Sequence, residues 1–379
     1  MSRVKLGDVA EEVRETYQGT MENPAIVGLE HLIPGEFRLK NWDSESDPNT
    51  TFTKAFHKGQ VLFGRRRAYL KKAAVAPVDG VCSGDITVIS AKQDKILPEL
   101  LPFVIQNDDF FEYAVGNSAG SLSPRVKWDR LREYEFNLPD RDSQKKLATL
   151  LWNFVDTKEA YQDLIQQTDE LVKSQFIEMM NSSTANAEKV DLGEISEMVT
   201  VGIANSATQA YAESGVPMLR NLNIQENELD DKDLVFITKE FAERYKSKAL
   251  RANDILIART GYPGRACLVP PKYEGCQTFT TLIVRLKKAN EIKPEFICHY
   301  INSPYGKNFV DSMKAGSSQQ NFGATALAKM PVLLPPATLQ ERFINIWNQS
   351  DKSKFELQYV KRNVKEMITC SQKKIQLNR

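Results

Sequence analysis

Along two stretches of the chain the apolar residues step by alternating threes and fours. The first reads Leu147, Leu150, Phe154, Thr157, Tyr161, Leu164, Thr168, Leu171, Gln175. The second lies 196 residues later and reads Phe343, Ile346, Ser350, Ser353, Leu357, Val360, Val364, Met367, Ser371. A period near 3.5 predicts a coiled-coil seam rather than a generic amphipathic face. Neither stretch is broken by Pro or Gly, and their polar interruptions match, Thr157 with Ser353 and Gln175 with Ser371. Separate surface helices would need no such match, so the pattern favours two long helices packing on one another. At about 35 residues each they would run roughly 50 Å. Ahead of each helix lie about 135 residues of short, strand-like apolar runs broken by Gly, Pro and Asn. Helical patches such as "LLPFVIQNDDFFEYAV" are set among them.

The rest of the chain repeats as well. "VKLGDVAEEV" at Val4 returns as "VDLGEISEMV" at Val190, and "GQVLFGR" at Gly59 as "NDILIAR" at Asn253. "LPELLPF" at Leu97 matches "KPEFICH" at Lys293, "SAGSLSP" at Ser118 matches "KAGSSQQ" at Lys314, and "LREYEFNLP" matches "LAKMPVLLP". The offset drifts from 186 to 194 to 196, which places loop insertions in the second copy. A repeat kept in order over most of the chain marks a duplication. The expected fold is therefore α+β, with two similar β-rich domains at residues 1–139 and 185–335. Two long antiparallel coiled-coil helices at 140–184 and 336–379 would join them, related by a pseudo-two-fold.

Composition adds little to this picture, because 50 basic side chains against 49 acidic ones leave a net charge of +1. Only local charge can then point to a polyanion. Five cysteines form no C-x-x-C pair and fit reduced thiols in a cytosol, and three scattered histidines carry no zinc spacing. No run reaches transmembrane length and no secretory signal opens the chain, so a cytoplasmic protein with no membrane partner is expected.

Charge does concentrate in "LFGRRRAYLKKAAVAP", where Arg65, Arg66, Arg67, Lys71 and Lys72 surround Tyr69. Arginine forks match phosphate oxygens and the guanine O6/N7 edge, and lysine serves as a point charge. The ordinary alternative is a solvated basic hairpin paired with local carboxylates such as Asp79 or Asp85. Recurrence weighs against that alternative, since Arg259 and Arg265 reappear in the matching "ARTGYPGRA". A second pair of stretches lies at equivalent positions. "SAGSLSPRVKW" offers Ser121, Ser123, Arg125 and Lys127, and "AGSSQQNFG" offers Ser317, Ser318, Gln319, Gln320 and Asn321. Serine and backbone N–H groups bind phosphate, and amide forks suit adenine. Two similar globes at a fixed distance suit a target that repeats along an axis, and duplex DNA is such a target.

The openings "KLGDVAEEV" and "DLGEISEMV", the strands "GQVLFGRRRAYLKKAAVA" and "NDILIARTGYPGRACLV", "SAGSLSPRVKWDRL", and the "LP…Q" leads with Gln144 and Gln340 together resemble one family. It is the specificity subunits of type I restriction-modification systems, and the resemblance covers nearly the whole length. It implies two target-recognition domains on two long antiparallel helices. It also implies a non-catalytic chain that binds a bipartite, asymmetric site in double-stranded DNA. The expected partners are two methyltransferase subunits and the restriction/motor subunits. S-adenosylmethionine, ATP and Mg2+ would sit on those partners, with no cofactor or metal on this chain. The second copy has "SSQQNFGA" where the first has "SLSPRVKW", so its base contacts must differ. The alternatives are a recognition module of a fused restriction and methylation enzyme, or a rod-like scaffold that binds no DNA.

Two motifs imitate catalysis. "NSPY" at Asn302 approaches the tetrad of amino-methyltransferases but lacks its first proline and any preceding F-x-G-x-G. Pro139-Asp140 with Asp156 and Lys158 formally matches a metal nuclease, yet Asp156 and Lys158 flank a helix seam about four turns from Asp140. His57, beside the basic strand, is expected to be an ordinary surface histidine.

Overall fold

The computed structural model describes residues 2–19, 21, 23–44, 51–183, 187–204, 208–287, 292–315 and 323–375. The chain divides into two units. Unit 1 comprises Met1–Ile165 with Glu356–Arg379, and unit 2 comprises Gln166–Phe355.

Unit 1 holds strands β1 (Ser2–Lys5), β2 (Ala10–Val13), β3 (Ala25–Val27), β4 (Lys54–Phe56), β5 (Val61–Gly64), β6 (Ala73–Val75), β7 (Gly80–Cys82), β8 (Ile86–Ala91) and β9 (Glu135–Leu138). They form a β1–β9 pair, a four-stranded sheet ordered β2-β8-β5-β6 and a three-stranded sheet ordered β3-β7-β4. Short helices α1 (Leu6–Val9), α2 (Leu101–Ile105), α3 (Asp108–Gly116) and α4 (Trp128–Leu131) pack around them. The long α5 (Arg141–Ser183) begins in this unit.

Unit 2 repeats the plan with β10 (Glu188–Asp191), β11 (Ser196–Val201), β12 (Tyr211–Ala212), β13 (Val216–Arg220), β14 (Val235–Ile237), β15 (Ile255–Ile257), β16 (Ala266–Leu268), β17 (Gln277–Phe279), β18 (Leu282–Leu286) and β19 (Pro331–Leu334). Its sheets are β10–β19, β11-β18-β15-β16 and β12-β14-β13-β17. Its helices are α6 (Lys239–Arg244), α7 (Pro294–Asn302), α8 (Pro304–Ala315) and α9 (Ala324–Ala328), and the long α10 (Ala337–Gln372) begins in this unit. The duplication reaches into single turns. The residue before Gln60 and the residue before Asp254 are both left-handed, Gly59 at φ 87° and Asn253 at φ 68°. Glycine and asparagine are the residues that tolerate that conformation. The next side chain then accepts the backbone N–H three residues back, Gln60 from His57 at 2.7 Å and Asp254 from Arg251 at 2.8 Å.

In unit 1, Leu147, Ala148, Leu151 and Val155 of α5 share one apolar core with Val364 and Ile368 of α10, and with Phe103, Phe110 and Phe136. In unit 2, Val172, Phe176 and Met180 share a core with Phe343 and Phe296. There the Phe176 and Phe343 rings lie 5.0 Å apart, and Lys354 Nζ reaches Asp169 at 2.7 Å. As α5 advances from 169 to 176 its partners on α10 recede from 354 to 343, so the two helices are antiparallel within this unit.

The period of the seam is as read from the sequence, but half of its positions are displaced by one residue. Leu150, Leu164, Leu171 and Met367 are 40%, 46%, 57% and 51% exposed. The buried positions are instead Leu151, Lys158, Val172 and Ile368, and Lys354 is largely covered. Neighbouring apolar pairs, Leu150–Leu151 and Leu171–Val172, left the phase ambiguous. The deciding positions are lysines, which bury an aliphatic stem and still satisfy the ammonium. Lys158 donates to the Gly35 carbonyl at 2.7 Å and to Glu36 at 3.1 Å. Lys354, at the equivalent place, takes Asp169.

Two buried glutamines tie each long helix to its own unit. Gln144 accepts the Leu97 N–H at 3.0 Å and donates to the Pro139 carbonyl at 2.9 Å. Gln340 accepts the Lys293 N–H at 3.1 Å and donates to the Pro335 carbonyl at 2.9 Å. Removing either amide strands a buried donor and a buried acceptor, each worth about 1–3 kcal/mol. Gln144→Ala is expected to loosen unit 1 and Gln340→Ala unit 2, each by about 2 kcal/mol. Hydrogen–deuterium exchange, resolved by peptide, checks both magnitude and place.

Candidate nucleic-acid interface

The basic stretch of unit 1 leaves β5 at Gly64 and rejoins the sheet at β6, with the Gly64 N–H on the Lys72 carbonyl at 2.9 Å. Arg67 and Lys71 both turn left-handed, at φ 53° and 51°, on either side of a 3-10 turn anchored by buried Ala68. This conformation sets Tyr69 and Leu70 outward, 53% and 41% exposed.

The second candidate stretch joins the first. The Val126 N–H bonds the Arg65 carbonyl at 3.0 Å, and the Arg67 N–H bonds the Pro124 carbonyl at 2.7 Å. Arg125 forms antiparallel bridges with Arg66 on one side and with Ala119 on the other. Residues 119–125 are thus a small hairpin laid against the arginines. Gly120 at φ 109° turns it, and Leu122 is 90% exposed at its tip.

Side chains converge on the same place. Asp85 accepts Arg125 Nε at 2.6 Å and Nη2 at 3.2 Å, and Arg66 Nη1 at 3.3 Å. Ser123 Oγ accepts Arg66 Nη2 at 3.1 Å and Arg67 Nη2 at 3.4 Å. The hydrogen bond from Arg125 holds the Asp85 carboxyl below its ordinary range, against the opposing effect of burial. Ser121 and Lys127 are exposed beside the cluster, and Arg65 is half-buried with its Nε unpaired. Lys71 pairs with Asp108 at 2.6 Å, both half-exposed. Lys72 is placed differently from the others, because its ammonium is spent on the Leu29 carbonyl at 2.7 Å. A lysine satisfying a main-chain carbonyl is a structural strut, and it does not join the surface formed by the rest.

The plain alternative of local carboxylate pairing holds for part of the cluster. Asp85 does hold two arginines, whereas Asp79 serves His57 instead, at 3.2 Å, with Glu15 on the other ring nitrogen at 3.0 Å. These two carboxylates, Asp79 foremost, raise the His57 pKa above its ordinary value.

In unit 2 the equivalent loop follows β15. Its fold rests on Gly261 and Gly264, at φ 76° and 94°, and on an Arg259 N–H bonded to the Asn221 side chain at 2.8 Å. Arg265 lies over the Tyr262 ring, 3.8 Å from its centroid, and donates Nη1 to Gln225 at 2.8 Å. Tyr262, 66% exposed, is the counterpart of Tyr69 that the sequence reading passed over. Its signal was the aromatic inside "ARTGYPGRA". Ser317, Ser318, Gln319, Gln320 and Asn321 lie outside the described residues.

Neither catalytic imitation assembles. The Asn302 side chain accepts the Ala266 N–H at 2.9 Å and donates to the Ala266 carbonyl and to Asn227, both at 2.8 Å, which pegs α7 to β16. Asp140 caps α5 through the Ser143 N–H and hydroxyl, both at 2.9 Å. Asp156 pairs with Arg38 at 2.6 Å, and Lys158 is the buried strut described above. Among the described residues no group of three or more His, Cys, Asp and Glu side chains is placed to hold a metal ion. No helix among them is long and apolar enough to cross a membrane.

Comparison with known proteins gives the same direction. Residues 185–366 match the type I restriction modification DNA specificity domain. The StySPI type I restriction enzyme specificity subunit of Salmonella potsdam is 25% identical over 153 residues, 38% of this chain and 32% of that protein. The chain thus spans about a third of the length of this relative. The MjaIX specificity subunit of Methanocaldococcus jannaschii is 23% identical over 310 residues, covering 76% of this chain and 70% of its own. In fold, the crystal structure of the type I restriction-modification S subunit from M. genitalium matches all of this chain and 96% of its own, with a TM-score of 0.61 at 11% identity. A chain from a study of type I system assembly and conformational transition matches 98% of this one and 96% of itself, with a TM-score of 0.54 at 16% identity. The chain thus carries a stretch, residues 185–366, similar to the DNA specificity domain of type I restriction-modification systems, and it shares the fold of the S subunit from M. genitalium.

Proposed function

We propose that the chain is the DNA-recognition subunit of a type I restriction-modification assembly. Unit 1 reads one half of a bipartite, asymmetric duplex site and unit 2 reads the other. The long helices carry two methyltransferase subunits and, through them, the restriction/motor subunits. S-adenosylmethionine, ATP and Mg2+ belong to those partners, this chain performs no bond chemistry, and the complex works in the cytoplasm. The observation that carries this reading is the convergence of residues 65–71 and 119–125 on one arginine-rich surface, with an Arg/Tyr loop at the equivalent place in unit 2.

The test replaces Arg65, Arg66 and Arg67 together by alanine and measures duplex binding, with and without methyltransferase subunit, across a salt series. Each phosphate contact contributes about −0.9 to the slope of log K against log salt. Arg66 is already held by Asp85 and Arg65 is half-buried. The expected result is lower affinity with a slope shallower by about one to two, short of the roughly three that free arginines would give. Unchanged affinity and slope would leave the loop a solvated hairpin and remove the basis of the proposal. Labelled methyl groups incorporated into DNA by the isolated chain would overturn its non-catalytic part.

A further inference from the structure

The geometry points to Arg125 as a residue that reads guanine, with Asp85 as the positioning residue that aims it; this inference rests on the DNA-recognition reading above. A guanidinium offers its five N–H donors along fixed edges. Asp85 occupies the edge made by Nε and Nη2, at 2.6 and 3.2 Å. The edge made by Nη1 and the second Nη2 hydrogen points away from that carboxylate, and no described residue bonds Nη1. The Arg125 side chain is 43% exposed while its Asp85 anchor is only 20% exposed, so the free edge is on the solvent side of a covered pair.

The main chain beneath it is fixed as well. Arg125 exchanges both backbone hydrogen bonds with Ala119, each 2.9 Å, and is bridged to Arg66 on its other side. Fork position and direction are therefore set before any ligand arrives.

Charge decides what the fork suits. A phosphate contact needs net positive charge and little direction, and a carboxylate 2.6 Å from the guanidinium opposes the approach of another anion. A paired, directional double donor suits a neutral double acceptor, and in the major groove that is the O6 and N7 of guanine. Adenine presents a donor at N6 where guanine presents O6, so it meets the second N–H with another N–H. Arg66 is not equivalent, because Asp85 and Ser123 take both of its terminal nitrogens. In unit 2, Arg265 is held by an amide and an aromatic face, with no carboxylate on it among its described partners. The two units accordingly present their arginines with different charge.

The experiment assembles the full chain with its methyltransferase subunit, selects from a library of randomised duplexes and sequences the bound fraction. Wild type is expected to enrich a site with a guanine whose preference, about 10–100-fold at a single base pair, is lost in Arg125→Ala and Arg125→Lys. The other positions should keep their preferences. Asp85→Asn retains the shape and removes the charge; it should relax the same base pair while raising affinity for unselected DNA and steepening the salt slope by about 0.9. The Arg125 backbone bonds survive truncation, and matched melting curves for the lysine variant establish that it is folded. A loss uniform over all sequences, with a slope shallower by about 0.9, would put Arg125 on phosphate and overturn this inference alone. If wild type enriches no sequence at all, the recognition reading falls and this inference with it.

Discussion

Replacing Asp254 by alanine is expected to destabilise unit 2 by about 3–5 kcal/mol, the cost of leaving one member of a buried ion pair alone. Asp254 is 2% exposed and its partner Arg285 is 9% exposed. The pair is bidentate, Arg285 Nε on Oδ1 at 2.8 Å and Nη2 on Oδ2 at 2.7 Å, and Nη2 also donates to the Ala249 carbonyl at 3.0 Å. Asp254 does further work in the backbone, accepting the Arg251 N–H at the left-handed turn that leads into β15. Arg285 sits in β18, the strand hydrogen-bonded to both β11 and β15. Truncating the carboxylate strands the guanidinium in the middle of that sheet. Changing both residues to apolar ones of similar volume should cost far less than the single change, because desolvation of the pair offsets most of its Coulomb attraction. Trp347 is the one tryptophan in unit 2, so its fluorescence during urea unfolding reports the change locally. A single variant that unfolds with wild type would show the pair to be energetically silent.

The second large effect is expected in acid. His299 of α7 lies edge-on to Phe343 and Trp347, with ring centroids at 5.1 and 4.7 Å, and its Nε2 is buried without a partner. Burial foremost, and then the charge of Lys354, push its pKa down to about 3. The folded imidazole stays neutral while the unfolded one takes a proton below its ordinary pKa of about 6.5. Stability from this residue is therefore complete above that value and drains away as pH falls from about 6.5 towards 3. The slope is about 1.4 kcal/mol per pH unit over most of that window. His299→Phe keeps a ring between the two aromatic edges and removes the proton site, so it should flatten the acid limb of unit 2 without loss at neutral pH. Thermal unfolding from pH 7 to pH 4, compared between wild type and variant, tests this. Parallel acid limbs would show that His299 is not the responsible group. The Lys354 ammonium, held by Asp169, is the charge on α10 that adds to the effect of burial on His299.

Much of this was legible beforehand because duplication writes the same constraint twice. The left-handed turn appears as Gly59 and Asn253, the hydrogen-bonding side chain after it as Gln60 and Asp254, and the helix tie as Gln144 and Gln340. Local backbone chemistry governs the turns, so their residue types report them directly, whereas each glutamine tie spans 47 residues and shows in the sequence only because it recurs. The seam shows where that ends. A 3.5-residue period can be counted, but its phase depends on which side of the helix meets a partner. Lys158, buried, and Lys354, largely covered, take seam positions although polar by type, because Gly35, Glu36 and Asp169 bind them there.

The chain by itself determined the two-copy α+β plan, the long helices and the concentration of arginines after β5. These follow from periodicity, turn chemistry and charge, which act over a few residues. Only the tertiary structure decided what each arginine does. It spent Lys72 on Leu29, set Arg65 half inside, and closed residues 119–125 against the basic loop so that one carboxylate, Asp85, fixes Arg66 and Arg125 together. Asp85 and Arg125 are 40 residues apart in the chain and 2.6 Å apart in space. No pattern of spacing encodes that distance, because it is set by the packing of every element that lies between them.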